Sequence, residues 1–374
     1  MKVLEAISDT NVGGAGRLLL TRLRHSDRTA VQTTVVLPKG SALEERLFRI
    51  GIRTVSVTHG ADASADLRAL PELVRIMREH RPDVLHCHGW LAARLAGWLA
   101  GVPVRIHTRH CAYRAGRWLR IPPVRLLCGL VQGMLSTNVI AVAEAAREDL
   151  LSQGVSDKKI EVIINGTDPL RTVSRTARYI YREAYGFSPE HFVVGICARL
   201  EPCKGHGDFL RAAALLASDD RFRFLVVGTG SLEKDLHELA RGLGLEKKIV
   251  FAGFCEDVSI PFWCMDLNVN CSVGTETSCL SLSEGMSIGL PAVASSYGGN
   301  VHMVKHGTNG LIYPEGDFVA LAAAIRQMAD DREGYRRMSA AARRRYCEEF
   351  TADRMTRATE GLYHRAVAGK TGTV

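Results

Sequence analysis

The chain has no C-x-x-C pair, no apolar run of membrane-spanning length, no internal repeat of period 20 to 50 and no low-complexity tract. Each absence removes a class of protein. Ten cysteines scattered over 374 residues do not form a disulfide scaffold. Cys87, Cys197 and Cys271 sit inside strand-like apolar runs and are expected to be reduced core residues. No stretch approaches the roughly 18 to 20 consecutive apolar residues that a membrane span requires. The start, MKVLEAISDTNVGG, turns polar and glycine-rich after a short apolar run, so it reads as a buried strand and not as a secretory signal. The expected location is the cytoplasm. The spacing G-x-G-x-x-G is also missing after that first strand, where NVGGAG stands instead, which argues against a nicotinamide dehydrogenase.

What is present is the composition of a folded protein, with 46% hydrophobic and 24% charged residues. The length implies two domains, each of under about 200 residues. A net charge of +8 invites an anionic partner, which could be a nucleic acid, a membrane surface or a phosphorylated substrate.

Short apolar runs alternate with segments of helical period, from KVLEAI and GRLLLTRL through DVLHCH and PVRIHT to KIEVII. This is the signature of a parallel sheet covered on both faces. The pattern breaks at the turn-rich Asn165-Gly166-Thr167-Asp168-Pro169. It restarts with HFVVGICA and continues through FRFLVVG, KIVFAG, DLNVNCS and PAVAS, after which only helices are expected. Two doubly wound α/β domains follow, 1–170 and 171–350. The remaining helical segment, 351–374, is free to pack back on the N-terminal domain. A ligand is expected between the domains, outside the carboxyl ends of the strands.

In CARLEPCKGH, Arg199 and Lys204 lie at a strand's carboxyl end and in the loop beyond it, where two cations suit a diphosphate; a solvated charged loop is the plainer alternative. In VVGTGSLEKDL, Gly228 stands between a strand and a helix, where backbone can approach a ligand, or simply turn tightly. Glu276 and Glu284 flank a serine-rich helix start in ETSCLSLSEGMS. The helix is expected to begin near Ser278 or Cys279, with Ser278 as cap and its first amides forming an anion site. Glu284 could accept hydrogen bonds from a ribose diol and Glu276 from a sugar. His86 and His88 share one strand face, opposite Cys87. A ligand-free pair is expected there, because zinc needs more ligands. Lys159 reads as an ordinary surface lysine and AARRRY, 341–346, as a solvated helix face.

The order of motifs resembles the retaining glycosyltransferases of family 4. They are NVGGAG, DVLHCH, TRH, VIAVAEAAREDL, VIINGTD, ARLEPCKG, VVGTGSLEKDL, FAGFCEDV, the EX7E element with GLPAVASSYGG, and NGLIYPEGD. That resemblance implies the GT-B fold, two facing Rossmann-like domains with an interdomain cleft. It implies transfer of a sugar from a UDP-sugar or GDP-sugar, with no cofactor and no metal; the chain contains no D-x-D. By the same resemblance Arg199 and Lys204 neutralise the diphosphate, Glu284 binds the ribose and Glu276 the donor sugar. Cys279, Leu280 and Ser281 supply phosphate-binding amides, Gly13, Gly14 and Gly16 form the first-domain loop near the donor phosphates, and His110 lies beside the transferred sugar. Where many relatives read E-G-F-G, this chain has Glu276-Thr277-Ser278-Cys279.

The acceptor implied is a glycan or a lipid-linked sugar of cell-envelope polysaccharide or glycolipid synthesis. The segment 113–135 interleaves Arg114, Arg117, Arg120 and Arg125 with Trp118, Leu119, Leu126 and Leu127. It is a candidate surface for an anionic membrane, which would place the protein peripherally on the inner face, or it is a solvated cover of the sheet. A sugar-nucleotide epimerase or phosphorylase would keep the fold and change the chemistry. A nucleic-acid binder would explain the charge and leave the ordered motifs unexplained, so no nucleic-acid partner is expected.

Overall fold

The apolar runs form two all-parallel sheets, each with apolar clusters on both faces. The structure, a computed structural model, describes residues 1–110, 121–274 and 276–371. It divides into two compact units, Met1–Thr167 with the segment beginning at Ala352, and Asp168–Thr351.

In the first unit the strands are β1 (Lys2–Ile7), β2 (Gln32–Pro38), β3 (Arg53–Val57), β4 (Val84–His88), β5 (Val104–Arg109), β6 (Asn138–Ala141) and β7 (Ile160–Val162). Their spatial order is β3-β2-β1-β4-β5-β6-β7, so the winding reverses between β1 and β4. The connecting helices are α1 (Gly14–Arg24), α2 (Leu43–Arg49), α3 (Leu70–His80), α4 (Leu91–Leu99), α5 (Pro122–Leu135) and α6 (Glu144–Ser152). Alternation along the strands sends Leu85 to one face, packed with Leu73, Met77 and Trp90. Ile7 goes to the other, packed with Leu19, Leu23 and Leu47.

The second unit contains α7 (Arg175–Ala184), β8 (Phe192–Cys197), α8 (His206–Leu216), β9 (Phe222–Val227), α9 (Glu233–Gly242), β10 (Ile249–Gly253) and α10 (Ser259–Cys264). It continues with β11 (Leu267–Asn270), α11 (Leu280–Ser287), β12 (Ala292–Ser295), α12 (Asn300–Met303), β13 (Gly310–Tyr313), α13 (Phe318–Asp330) and α14 (Arg332–Glu349). The sheet order is β10-β9-β8-β11-β12-β13, with its reversal between β8 and β11. Side-chain caps start three of the helices: Ser174 accepts from Ala177 N at 3.1 Å, Asp317 from Ala320 N at 2.9 Å and Asp331 from Gly334 N at 2.8 Å. The expectation of helices alone after PAVAS fails at GLIY, which is β13. Four residues are too few to show a period, and the strand is recognisable only because Val293 and Leu311 pair in register.

The last helix, α15 (Ala352–Thr371), belongs to the first unit. It packs against α1, and its first amide, Ala352 N, donates to Thr167 O at 3.0 Å. Among the described residues, no helix is long and apolar enough to cross a membrane.

Candidate functional site

The loops that follow β8 and β11 rise side by side because those strands are neighbours at the reversal of winding, the place where such sheets bind ligands. Val273 N in the second loop donates to Cys203 O in the first at 2.9 Å, tying the two together. The β8 loop carries Arg199, exposed, and Lys204, half-buried. The β11 loop carries Glu276, buried.

Lys204 and Glu276 meet directly, Nζ donating to Oε2 at 2.7 Å. Burial works against the ammonium, but the Glu276 carboxylate outweighs it and holds the Lys204 pKa above the usual lysine value. Ser272 Oγ donates to the same carboxylate oxygen at 2.8 Å. A polar ladder lies beneath. Ser295 Oγ donates to Ser272 O at 2.7 Å, Asn300 Nδ2 donates to Ser295 Oγ and to Asn270 Oδ1, both at 3.1 Å, and Ser272 N donates to Asn270 Oδ1 at 2.9 Å. Gly299 lets the loop settle: a Cβ there would stand 1.5 Å from the Thr277 carbonyl oxygen. Sequence reasoning passed over Ser272, Asn270, Ser295 and Asn300. The signal was Asn268 and Asn270 at period two in a fully buried strand, with Ser272 two positions beyond, which demands built-in partners.

The helix after this loop starts one position later than expected. Cys279, in extended conformation, is the N-cap of α11, and no side chain caps it. Ser278 is therefore not the cap. Its Oγ is buried and has no hydrogen-bond partner among the described residues. Leu280 and Ser281 open the helix, and Cys279 Sγ accepts from Asn270 Nδ2 at 2.8 Å. Glu284 is only 4% exposed, so it is not an ordinary solvated helix carboxylate. The far end of α11 is clamped by α14, with Arg343 donating to Ser287 O and Ser339 Oγ to Gly289 O at 2.6 Å. Arg345 likewise donates to His302 O at 2.7 Å. The reading of AARRRY as a purely solvated face is thus corrected: two of its arginines satisfy carbonyls at helix ends, where cations are favoured. Gly228 adopts φ +134°, and a Cβ there would meet the Ala198 carbonyl oxygen at 2.0 Å. Its lack of a side chain serves the packing of the β9 loop on the β8 loop.

Gly13, Gly14, Gly16 and His110 lie in the first unit. Gly13 is the N-cap of α1, and a Cβ at Gly13 or Gly14 would meet nothing within 4 Å, which leaves the backbone bare. Gly16 is a packing glycine, since its Cβ would stand 2.9 Å from Leu43 Cδ2. His110 follows β5, with its Nε2 3.0 Å from His88 Nδ1. His86 and His88 do share a face, and Glu5 joins them: one donor atom from each of the three lies within 4.8 Å of the others. The Arg22 guanidinium occupies one oxygen of Glu5 and so opposes a divalent cation there.

Of the segment 113–135, residues 113–120, with Tyr113, Arg114, Arg117, Trp118, Leu119 and Arg120 among them, lie outside the described residues. The described remainder is Ile121, the N-cap, and α5, whose Leu126, Leu127, Leu130, Val131 and Met134 are exposed. Lys159 is not an ordinary surface lysine. Its Nζ donates to Gly133 O at 2.7 Å and Ser136 O at 3.3 Å, closing the C-terminal end of α5.

The chain matches the family described as Glycosyltransferase Family 4 over residues 12–171 and the family described as Glycosyl transferases group 1 over residues 178–345. It is 28% identical over 307 residues to EpsD, a protein named as a glycosyltransferase in Bacillus subtilis, covering 78% of this chain and 79% of that one. It is 26% identical over 277 residues to the UDP-Gal:alpha-D-GlcNAc-diphosphoundecaprenol alpha-1,3-galactosyltransferase of Escherichia coli, covering 71% of each. Among solved structures, Alr3699/HepE of Anabaena in complex with UDP superposes with a TM-score of 0.85 at 22% identity, covering 98% of this chain and 100% of that one. The same protein in complex with UDP-glucose gives a TM-score of 0.82, covering 100% of both chains.

Proposed function

Because the chain belongs to the family 4 glycosyltransferases and has the GT-B fold, we propose that it moves a sugar from a UDP-sugar to a lipid-linked or glycan acceptor of cell-envelope synthesis, with retention of configuration and without a metal. The observation that carries this reading is the adjacency of Lys204, Glu276 and the start of α11 at the reversal of the second sheet. UDP is favoured as the nucleotide by the UDP-Gal named for the E. coli relative and by the UDP and UDP-glucose bound in HepE.

The reaction breaks the bond from the anomeric carbon to the diphosphate oxygen, and negative charge grows on the leaving group. Lys204 and Arg199 neutralise that charge, and the first amides of α11, at Cys279, Leu280 and Ser281, add donors that need no reorganisation. Ser278 Oγ offers one more donor. Glu284 accepts from the ribose hydroxyls and Glu276 from a hydroxyl of the donor sugar, while Gly13 and Gly14 bring bare backbone to the phosphates and His110 meets the transferred sugar. The acceptor hydroxyl attacks the face the diphosphate leaves, and the departing phosphate takes its proton.

The α5 residues Leu126, Leu130 and Met134, with Leu127 and Val131, recur at helical spacing and form one exposed apolar stripe beside the exposed Arg125. Apolar stripes on helices normally face the core. We assign this one to an anionic membrane surface, where a lipid-linked acceptor resides, with the protein peripheral on the inner face.

Acceptor-dependent release of UDP, unchanged by a chelator and giving a product whose anomeric proton shows the donor's configuration, is the expected result. Inverted product would overturn retention, and loss of activity with chelator would overturn the metal-free assignment. UDP release from no nucleotide sugar in the presence of any polyprenyl-diphosphate or glycan acceptor would overturn the substrate assignment.

A further inference from the structure

The second sheet carries Lys204 and Glu276 at its reversal of winding, and the first sheet has a reversal of its own, between β1 and β4. Open α/β sheets bind ligands at such a point, outside the carboxyl ends of the strands. Ile7 and His88, the last residues of β1 and β4, pair in register. The chain beyond them, from Ser8 and from Gly89, therefore rises on the two sides of this point.

Both sides are fixed by one further loop, the one after β3. Asp62 N donates to Ser8 O at 2.9 Å, and Thr10 returns the contact, its N donating to Asp62 Oδ1 at 2.9 Å and its hydroxyl to Asp62 Oδ2. Two residues on, Ser64 Oγ donates to Gly89 O and accepts from Leu91 N at 3.1 Å. Asp9 lies inside this frame, and its own carbonyl accepts from Ser41 Oγ at 2.8 Å. Its backbone is thus held before, at and after the residue.

Its side chain is not held. The Asp9 carboxylate is half-buried, and among the described residues no hydrogen bond or ion pair reaches it. Burial raises its pKa, His88 opposes that rise and Asp62 adds to it. A carboxylate withdrawn from water without a partner costs the fold stability. Asp9 therefore has no task in holding the structure, and its oxygens stand ready to accept.

The surroundings decide what they accept. A divalent cation takes several oxygen ligands, whereas the neighbouring acid, Asp62, is engaged by Thr10, whose bonds also hold its pKa below the usual carboxylate value. A phosphate or carboxylate would be repelled by both acids. A hydroxyl fits, because a carboxylate accepts strongly from O–H. There is room for the ring that bears it: at Gly13, Gly14 and Gly89 a Cβ would meet nothing within 4 Å.

We propose that Asp9 binds the acceptor, its carboxylate taking a hydrogen bond from a hydroxyl of the acceptor sugar at the reversal of the first sheet. This rests on the reading of the chain as a transferase with a glycan or lipid-linked acceptor. It states what that acceptor presents here: an uncharged hydroxyl, with any phosphate of a lipid-linked acceptor placed away from Asp9.

Asp9→Ala removes the acceptor atoms, and Asp9→Asn keeps the size and loses the charge. With polyprenyl-diphosphate sugars as acceptors in a UDP-release assay, Asp9→Ala is expected to raise the acceptor KM roughly 10- to 100-fold, the effect of one lost charge-assisted hydrogen bond, and Asp9→Asn to raise it less. UDP affinity by calorimetry stays at the wild-type value. Both variants are expected to keep or raise the denaturant midpoint, since no partner is lost and the burial cost of the carboxylate is removed. A binding readout needs no transfer: in the 15N-labelled full chain, methyl glycosides of glucose, galactose, mannose and N-acetylglucosamine are titrated one by one. At least one is expected to give saturable shifts in the amides of Ser8–Gly14 that vanish in Asp9→Ala. A wild-type acceptor KM in Asp9→Ala, a lowered midpoint in both variants, or no saturable shift with any of these glycosides would overturn the proposal. The transferase reading fails separately, as absence of UDP release by the wild-type protein, and the glycoside titration then decides for or against Asp9 by itself.

Discussion

Lys204 and Glu276 neutralise each other at 2.7 Å, so neither acts as an isolated charge. The lysine nevertheless stands where the leaving diphosphate is proposed to develop charge, and electrostatic donors of this kind are typically worth about 3 to 4 kcal/mol in the transition state. Lys204→Ala is expected to lower kcat by roughly 10²- to 10³-fold, whereas Lys247→Ala, an exposed lysine of the same unit, leaves it unchanged. Equal turnover of the two variants in a UDP-release assay would remove the diphosphate role. Glu284 is buried, and a carboxylate binds a ribose diol better than an amide does. Glu284→Gln is therefore expected to weaken UDP binding by about 10- to 100-fold, as for loss of charge-assisted hydrogen bonds; unchanged affinity by calorimetry would count against the ribose role. At this scale the charged residues were legible because their types are rare in buried loops. The neutral ones were not, because a serine such as Ser272 or an asparagine such as Asn300 acquires its task only when β12 and α12 are folded over β11.

Among the elements, α5 makes a direct prediction. Leu126 and Leu130 are 66% and 64% exposed on one stripe, and burying a leucine is worth roughly 1.5–3 kcal/mol. The double variant Leu126→Glu/Leu130→Glu is expected to stop flotating with vesicles rich in anionic lipid while keeping its UDP affinity. Wild-type protein that fails to co-float with those vesicles, or that co-floats equally with neutral ones, would contradict the membrane assignment. The sheets were legible as elements because strands such as KVLEAI and FRFLVV are short, mostly apolar runs, each followed by a serine or a glycine. β13 escaped because it spans only Gly310–Tyr313. The start of α11 was misplaced by one residue because Ser278 is a favoured cap by type, while the backbone puts Cys279 in that position. The arginines of α14 escaped because their targets, the carbonyls of Ser287 and His302, belong to helices distant in sequence.

For the whole molecule, the buried histidines of the first unit set an acid limit. His86 and His107 are held neutral by burial first, with His88 and Arg22 adding to it at His86, and Arg94 and Arg109 at His107. Their folded pKa values lie below the unfolded value of about 6.5, so the unfolded chain takes up protons first as pH falls. Stability is thus undiminished by them above about pH 7 and declines below about 6.5, by about 1.4 kcal/mol per pH unit for each histidine that stays neutral. Denaturant midpoints that fall between pH 7.5 and 5 are expected; a flat profile over that interval would show that these rings accept protons in the fold. The two-unit organisation could be read from the break at Asn165–Pro169. The membership of α15 was left open, since only the burial of Tyr363 against His86 and the packing on α1 assign it.

That helix carries one more implication. The chain leaves the first unit after Thr167 and re-enters it at Ala352, so the second unit is an insertion within the first. During synthesis the ribosome must finish all of Asp168–Thr351 before it makes the piece that seals the opening unit. Newly made first-unit sheet therefore waits, with His86 and its neighbours uncovered, while the inserted unit is free to fold ahead of it. On this account a nascent chain stalled just before residue 352 should be protease-resistant in its later half and sensitive in its earlier one.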